Sequence, residues 1–256
     1  MSSAKLQTES LYEGAVVRLL MSAPPGNVLD IEMIDALRAA LARAENDPGV
    51  KAIILEGQGA HFSFGASVPE HRPGEIDRAL PRFHDLFRDL LDVGHPLIAV
   101  VRGQCLGGGL ELAIACNWIF AAPDAKLGLP EIKLAVFPPI GTLLLPMRVP
   151  RPVAEMMCLT GRILAVPEAQ SHHLVDFVAA DPGAAALAWI QENLLAQSAA
   201  ALHYATRAVR TLPRDELYRG LEELERMYLR QLMHTEDARE GIAAFLEKRP
   251  PQWKNR

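Results

Sequence analysis

The 256-residue chain has little cysteine, which excludes one common class of small secreted proteins. Its three cysteines, Cys105, Cys116 and Cys158, are odd in number, have no paired spacing and lie in apolar segments. A disulfide framework needs an even number at suitable spacings, so we expect reduced thiols in the core. Reduced thiols favour a reducing compartment, and we therefore expect a cytoplasmic protein.

Basic runs and long apolar runs are also missing from the sequence. The formal net charge is −5 and no run of lysines or arginines occurs, so nothing predicts binding to nucleic acid. The longest apolar runs are much shorter than a membrane span, and the first residues lack the apolar core of a signal peptide. We expect neither a nucleic-acid partner nor a membrane partner. Hydrophobic residues make up 50% of the chain, which is enough for a sizeable core.

Strands and helices alternate in the first part of the chain, and helices alone follow. Apolar patterns predict strands at about residues 6–12, 15–21, 50–55, 98–101, 118–122 and 174–178, and helices at 31–44 and 80–93. Two prolines predict a loop over residues 69–74. From residue 181 onward the pattern predicts helices at 184–196, 199–211, 214–233 and 237–246, separated by Pro213 and by the Thr235-Glu236 junction. This order favours a largely parallel α/β core with a helical appendage or oligomer interface.

The chain is centred on residues 98–116, where a buried strand leads through three consecutive glycines into a helix. Glycine tolerates positive φ, and the first amides of a helix lack partners, so this turn is suited to hold a negatively charged oxygen. Glu111 follows among Leu, Ala and Ile, where burial would raise its pKa toward the range useful for proton transfer. A tight packing turn with a solvated glutamate is the alternative.

Two further stretches carry residues suited to the same chemistry. In the loop at residues 56–67, Gly65 allows close approach of the backbone, and the amide of Ala66 is free if no strand pairs with it. An ordinary surface turn is the alternative there. Later in the chain Glu131 follows Pro130, whose ring restricts the backbone and so fixes where the carboxylate points.

Three motifs, in this order and spacing, resemble the crotonase (enoyl-CoA hydratase/isomerase) superfamily over nearly the whole chain. They are Phe64-Gly65-Ala66, the segment from Arg102 to Glu111 that contains Gly107-Gly108-Gly109, and Leu129-Pro130-Glu131. The resemblance implies an α/β fold in which residues 1–190 form a spiral of ββα units. It also implies that residues 191–256 form a helical region that assembles trimers or hexamers.

The resemblance also implies roles for individual residues. In that family two backbone amides, here those of Ala66 and Gly108, hold the thioester oxygen of an acyl-CoA. Two glutamates hold a water molecule, and we expect Glu111 to orient and activate it and Glu131 to deliver the proton. Members that isomerise or cleave often lack one glutamate, so retention of both favours a hydratase. Substrate contacts are expected from Phe64, Ser67, Val68 and Leu106, and no metal or cofactor is implied beyond the CoA of the substrate.

Departures from the common family pattern narrow the expected substrate. Ser67 stands where many hydratases have aspartate, and residues 137–141 (Phe-Pro-Pro-Ile-Gly) replace a glycine-rich stretch. The first loop, the central segment and residues 130–134 look most like the group that hydrates cyclohexa-1,5-diene-1-carbonyl-CoA to 6-hydroxycyclohex-1-ene-1-carbonyl-CoA in anaerobic benzoyl-CoA degradation. A straight-chain enoyl-CoA hydratase or isomerase is the alternative.

A different class of enzyme is suggested by Gly103-Gln104-Cys105-Leu106-Gly107, which matches a nucleophile elbow with cysteine in place of serine. On that hypothesis Cys105 attacks an ester, and its triad is completed by Asp124 or Asp176 and by His203 or His234. The hypothesis leaves Glu111 and Glu131 without roles. A third hypothesis is a thioester-binding protein without catalytic activity, against which the intact glutamate pair counts.

Several histidines and one apolar stretch have weaker functional interpretations. His172 and His173, with Glu168 and Asp176 nearby in sequence, suggest a metal site, but a solvated helix end explains them better. His61 and His71 flank the first loop, where they either contact CoA phosphates or have no role. The leucines and methionines of residues 217–233 are expected in the core or at a subunit interface.

Overall fold

The computed structural model describes residues 5–256, and its strands form two sheets. The strands of these residues are β1 (Leu6–Leu11), β2 (Val16–Met21), β3 (Ala52–Gly57), β4 (Leu97–Val101), β5 (Gln104–Leu106), β6 (Trp118–Ala121), β7 (Lys126–Gly128), β8 (Ile163–Ala165) and β9 (Phe177–Val178). Six of them form the larger sheet in the order β1-β2-β3-β4-β6-β9, and β5-β7-β8 form the smaller one.

The larger sheet confirms the predicted, largely parallel α/β core. Only β1 runs antiparallel to its neighbour, with Leu6 opposite Met21 at the end of the predicted hairpin. Strands β2, β3, β4, β6 and β9 are parallel to one another. Every residue of β3 and β4 is buried, as expected for central strands covered on both faces.

The smaller sheet was not predicted. Its three strands have three residues each, which is too short for an alternating pattern to show in the sequence. In this sheet β5 pairs in parallel with β7, placing Cys105 beside Leu127. The sheet lies immediately before the central glycines and therefore fixes where their turn begins.

Seven of the ten helices within residues 5–256 lie where the sequence predicts them, with a few corrections, and three helices between Pro139 and Ser171 are additional. Asp30 caps α1, since its carboxylate accepts the Met33 N–H at 3.0 Å. Pro213 lies in the first turn of α9, where no helical N–H bond is lost, so it does not separate two helices as predicted. The helices are α1 (Ile31–Glu45), α2 (Ile76–Asp92), α3 (Gly108–Ile114), α4 (Pro139–Arg148), α5 (Arg151–Thr160), α6 (Val166–Ser171), α7 (Pro182–Asn193), α8 (Ala199–Val209), α9 (Thr211–Arg230) and α10 (Glu236–Leu246).

Two short 3₁₀ helices border what becomes the functional site. Val68–His71 forms the first and overlaps the stretch predicted as a loop, because Pro69 is well placed at the start of a helical turn. Pro130–Leu134 forms the second and carries Glu131 in its first turn. Both helices pack against α10.

The C-terminal helices pack against earlier parts of the chain. Helix α9 packs against α2 and α4, and Gly241 of α10 lies so close to the Leu134 carbonyl that a side chain there would collide with it. The boundary predicted between residues 190 and 191 falls inside α7, where Ile190 is buried against the larger sheet. Helix α7 thus belongs with the sheet, and the division into two domains stays a prediction.

Two expectations from composition can be compared with the described residues directly. Cys105, Cys116 and Cys158 are buried and unpaired, as expected. No helix within residues 5–256 combines the length and the apolar character required to cross a bilayer.

Candidate active site

The three motifs that stood out in the sequence meet at one cavity of about 280 Å³. Gly65 and Ala66 of the first loop, Gly108 and Glu111 of α3, and Glu131 all line it. Most of the wall is apolar, with ring and aliphatic side chains from α1, α2 and the C-terminal helices. The polar residues in the wall are Ser67, Glu70, His71, Glu111, Glu131, Lys133 and Tyr228.

The backbone of the first loop leaves the Ala66 amide unpaired. An isolated parallel bridge joins Leu29 to this loop. In it the Leu29 N–H donates to the Gly65 carbonyl at 2.9 Å, and the Ser67 N–H donates to the Leu29 carbonyl at 3.2 Å. Because successive groups of an extended chain alternate in direction, the Ala66 N–H points away from Leu29.

The Gly108 amide lies beside that of Ala66. Gly108 is the first residue of α3, where an N–H has no partner inside the helix. A Cβ on Gly65 would lie 3.0 Å from the Gly108 nitrogen, and a Cβ on Gly108 would lie 3.1 Å from the Ala66 nitrogen. Glycine at both positions therefore lets the two backbones touch. Neither amide donates a hydrogen bond to another group in the part of the chain that the structure describes.

Glu111 lies in α3 with only 3% of its surface exposed. Its Oε1 accepts the Gly141 N–H from α4 at 2.7 Å. Burial raises the pKa of Glu111 to about 7, against the opposing effect of hydrogen bonds from the Gly141 and Ile140 amides. This carboxyl group can thus exist in either protonation state near neutral pH.

Glu131 is partly exposed as a residue, but its carboxyl group is turned away from solvent. Its Oε1 lies against Gly107, and its Oε2 is inaccessible and has no hydrogen-bond partner among the described residues. Burial, followed by the charge of Glu111, raises the pKa of Glu131 well above its ordinary value. Two backbone amides, those of Gly141 and Ile140, stabilise the charge of Glu111, whereas only its own amide does so for Glu131. Glu111 therefore ionises first and Glu131 keeps its proton.

Three of the four residues predicted to contact substrate line the cavity, namely Phe64, Ser67 and Val68. Leu106 does not, which corrects that prediction. It lies in β5, where its N–H donates to the Ser63 carbonyl at 3.0 Å and its own carbonyl faces Gly65. Its role in the structure is to hold the first loop against the glycine turn.

Sequence reasoning missed several residues of the wall. His71 is only partly exposed and lines the cavity, and its Nδ1 lies 2.8 Å from the Ser67 carbonyl. Burial lowers the pKa of His71, which favours the neutral ring. Tyr228 lies within residues 217–233, whose leucines were predicted correctly as core. Other wall residues that were missed include Phe83, Ile242 and Phe245.

The structure contradicts the cysteine-nucleophile hypothesis. Cys105 lies in β5 instead of a strand-to-helix elbow and is fully buried, and burial raises the pKa of its thiol. A thiolate is therefore disfavoured there. Two of the four proposed triad partners are engaged elsewhere, since Asp176 pairs with Arg148 and His203 lies near Glu45.

The histidines also fail to form the metal site considered from the sequence. Within residues 5–256, the potential ligands that come together are those of Glu45, His95 and His203, and His172 is not among them. None of these three residues lines the cavity. His95 Nε2 lies 3.0 Å from the Ala44 carbonyl and must carry a proton to bond it, so this nitrogen offers no lone pair.

Comparison with known proteins agrees with this geometry. Residues 12–256 match the family model described as "Enoyl-CoA hydratase/isomerase". The chain is 45% identical over 255 residues to the cyclohexa-1,5-dienecarbonyl-CoA hydratase of Thauera aromatica, covering 100% of this chain and 99% of the relative. It is 36% identical to a probable enoyl-CoA hydratase of Bacillus subtilis, covering 93% and 95% of the two chains. The crystal structure of an enoyl-CoA hydratase from Mycobacterium avium superposes with a TM-score of 0.87 at 27% identity, covering 98% and 100%.

Proposed function

Because the chain belongs to the enoyl-CoA hydratase/isomerase family, we propose that it is a hydro-lyase that adds water to cyclohexa-1,5-diene-1-carbonyl-CoA. The product would be 6-hydroxycyclohex-1-ene-1-carbonyl-CoA. The observation that carries the proposal is the arrangement of two unpaired amides and two buried carboxyl groups around one cavity. The full-length similarity to the Thauera aromatica hydratase supports the cyclic substrate.

The atoms of this reaction balance without any oxidant or reductant. The oxygen of water bonds to ring carbon 2, which is β to the thioester, and the electrons of the diene move toward the carbonyl oxygen. A proton then bonds to ring carbon 5, and the remaining double bond joins carbons 1 and 6. Renumbered from the other side, this product carries its hydroxyl on carbon 6.

The two amides stabilise the negative charge that develops on the thioester oxygen. Donors fixed in place before the reaction stabilise an enolate-like transition state at no cost of reorganisation. Each such donor contributes about 2.7–4 kcal/mol in enzymes where one has been removed. Ala66 and Gly108 supply two, and the chain holds them together through Gly65.

The two carboxyl groups carry out the proton transfers. Ionised Glu111 accepts a proton from the attacking water, and protonated Glu131 delivers one to the ring. Their environments support this division, since backbone donors stabilise charge on Glu111 and nothing bonds Oε2 of Glu131. The product hydroxyl and the new C–H bond lie on opposite carbons of the ring, which suits two separate acid–base groups.

The size of the cavity supports a compact acyl group. At about 280 Å³ it is just below the range of roughly 300–1,000 Å³ that encloses a drug-sized ligand. We infer that it takes the acyl group and that the rest of CoA lies outside. No metal or cofactor is needed for any step.

The test is to incubate the purified protein in parallel with cyclohexa-1,5-diene-1-carbonyl-CoA and crotonyl-CoA and to identify the hydration products by mass spectrometry. We expect the cyclic substrate to be hydrated with the higher kcat/KM. A comparable or higher kcat/KM on crotonyl-CoA would support the straight-chain alternative. Binding of both thioesters with no turnover would support a thioester-binding protein.

We also propose that the chain assembles as a homotrimer or hexamer in the cytoplasm. Large apolar side chains on α8 and at the start of α9 face solvent in the single chain: Tyr204 is 73% exposed and Leu212 is 64% exposed. Such side chains suit an interface between copies. Light scattering of the purified protein gives its mass, and a monomer would contradict this part of the proposal.

A further inference from the structure

Tyr228 places a hydroxyl group in the wall of the cavity from a helix near the end of the chain. It lies in the last turn of α9, and only 1% of its surface is exposed. Within residues 5–256 the hydroxyl makes no hydrogen bond to a protein group. Its oxygen is nevertheless accessible, unlike the buried polar atoms that have no partner. It therefore borders the open space of the cavity, where a ligand can reach it.

The ring of Tyr228 is fixed by its neighbours. It meets the ring of Phe137 edge to face, with 5.3 Å between centroids, and the ring of His71 in a similar way at 6.5 Å. Ile242 of α10 and Val136 pack in the same cluster. The hydroxyl thus has a defined direction before any ligand arrives, which lowers the entropy lost on binding.

Helix α9 itself is attached to α2 close to this tyrosine. The buried ring of His84 bonds the carboxylate of Glu225 through Nδ1 at 2.6 Å. Glu225 precedes Tyr228 by three residues, so both lie on the same side of α9. Phe83, the neighbour of His84, lines the cavity.

The phenol stays protonated because burial raises its pKa, and the charges of Glu131 and Glu111 raise it further. Tyr228, Glu111 and Glu131 line the same cavity. A protonated phenol can donate a hydrogen bond as well as accept one. In the proposed reaction the oxygen of water enters this cavity, where it can accept a hydrogen bond from the phenol.

We propose that the Tyr228 hydroxyl donates a hydrogen bond to the oxygen atom that hydration adds to the acyl group, so that α9 takes part in selecting hydroxylated ligands. The inference rests on the proposed function and adds a substrate-binding residue to it. It assigns the C-terminal helices a direct contact with the acyl group, in addition to any part in assembly.

The test compares two ligands in three proteins. Calorimetry measures the Kd of cyclohexane-1-carbonyl-CoA and of 2-hydroxycyclohexane-1-carbonyl-CoA, which differ only by the hydroxyl on the β carbon. The proteins are the wild type, Tyr228→Phe and the matched control Tyr218→Phe. Tyr218 lies on the same helix, but its hydroxyl bonds Asp92 at 2.6 Å outside the cavity.

We expect the wild type and Tyr218→Phe to bind the hydroxylated ligand with a Kd about tenfold lower than that of the other ligand. One hydrogen bond accounts for a ratio of this size. Tyr228→Phe should lose this preference while it binds the ligand without the hydroxyl as before. A purely structural role would weaken both ligands alike, because the ratio isolates the contact. An unchanged ratio in Tyr228→Phe, or no preference in the wild type, would overturn the inference.

The same measurements separate this inference from the proposed function. If the wild type prefers the hydroxylated ligand but does not hydrate the cyclic diene, the Tyr228 contact is supported and the proposed reaction is contradicted. If the wild type hydrates the diene and Tyr228→Phe still prefers the hydroxylated ligand, the reaction is supported and the contact is contradicted. A wild type that binds neither ligand contradicts both.

Discussion

Gly107 lies against the carboxyl group of Glu131 in the wall of the active-site cavity, since a Cβ on Gly107 would lie 2.7 Å from Oε1 of Glu131. Gly107 also has φ +53°, a conformation that other residues rarely adopt. The turn that presents the Gly108 amide is therefore also the wall against which the proposed acid rests. In the proposed mechanism, oxyanion binding and proton delivery therefore depend on the same glycine.

Gly107→Ala should lower kcat by about tenfold or more, because the added methyl group displaces the Glu131 carboxyl group and strains the turn. Gly59→Ala is the matched control: Gly59 also has positive φ, at +83°, but its Cβ would meet open space. Steady-state kinetics and thermal unfolding of both variants check this. Equal losses of activity would mean that backbone strain alone is responsible.

Glu131→Gln should abolish hydration, with a loss of roughly 10²–10⁴-fold in kcat, because an amide cannot deliver the proton. Acyl-CoA binding should stay near normal, since glutamine has nearly the same shape. Glu70→Gln alters another carboxyl group of the cavity wall and serves as control, with an expected loss below about tenfold. Turnover close to that of the wild type in Glu131→Gln would refute the assigned role.

The pH dependence of kcat/KM should be bell-shaped. Activity rises with pH as Glu111, with its pKa raised to about 7, loses its proton and becomes the base. It falls at higher pH as Glu131, whose pKa is raised further, loses the proton it must deliver. Initial rates from pH 5 to 10 check this, and a profile that is flat between pH 6 and 8 would contradict the assignment.

Stability should fall as pH rises from about 5 to 8. Both glutamates have raised pKa values in the folded state, so this state binds more protons than the unfolded chain above the ordinary glutamate pKa of about 4.3. The stability is complete below that value and is lost as pH rises through the folded pKa values. Tm measured at pH 5 and pH 8 should differ less in Glu131→Gln than in the wild type, and an equal difference would argue against burial of this carboxyl group.

Arg210→Met should destabilise the protein by about 3–5 kcal/mol, since the buried guanidinium satisfies several carbonyl groups at once. It donates to the Leu90 carbonyl at 3.1 Å, the His95 carbonyl at 3.2 Å and the Asn117 side chain at 2.5 Å. Burial lowers the pKa of Arg210 to about 10, so it remains charged at neutral pH. Urea unfolding measures the effect, and the exposed Arg219→Met should change stability by less than about 0.5 kcal/mol.

The sequence allowed prediction of those parts of the fold and site that are set by local patterns. The run from Ile98 to Val101 predicted a central strand, and the glycines that follow predicted an unpaired amide beside Glu111. The strands β5, β7 and β8 could not be predicted, because three residues show no periodicity. Tyr228 was missed because its position depends on how α9 returns to α2, which is a matter of tertiary packing between distant segments.

His71 was misinterpreted for a related reason. Its neighbours Pro69 and Pro73 suggested an exposed loop, whereas Pro69 begins a 3₁₀ helix whose end is covered by α10. Local residue types thus predicted the break in regular structure correctly but not its contact with the cavity wall. That contact depends on a helix that begins at Glu236, far along the chain.

The cavity is bounded by two stretches of chain with separate tasks. In the proposed mechanism the turns around Ala66 and Gly108 polarise the thioester, while α9 and α10 contribute Tyr228, Ile242 and Phe245 to the space beside it. Substitutions in the last two helices can therefore reshape the chamber for a new acyl group while the catalytic turns keep their geometry. A lineage built on this plan can diversify its substrates through its tail and inherit its chemistry unchanged.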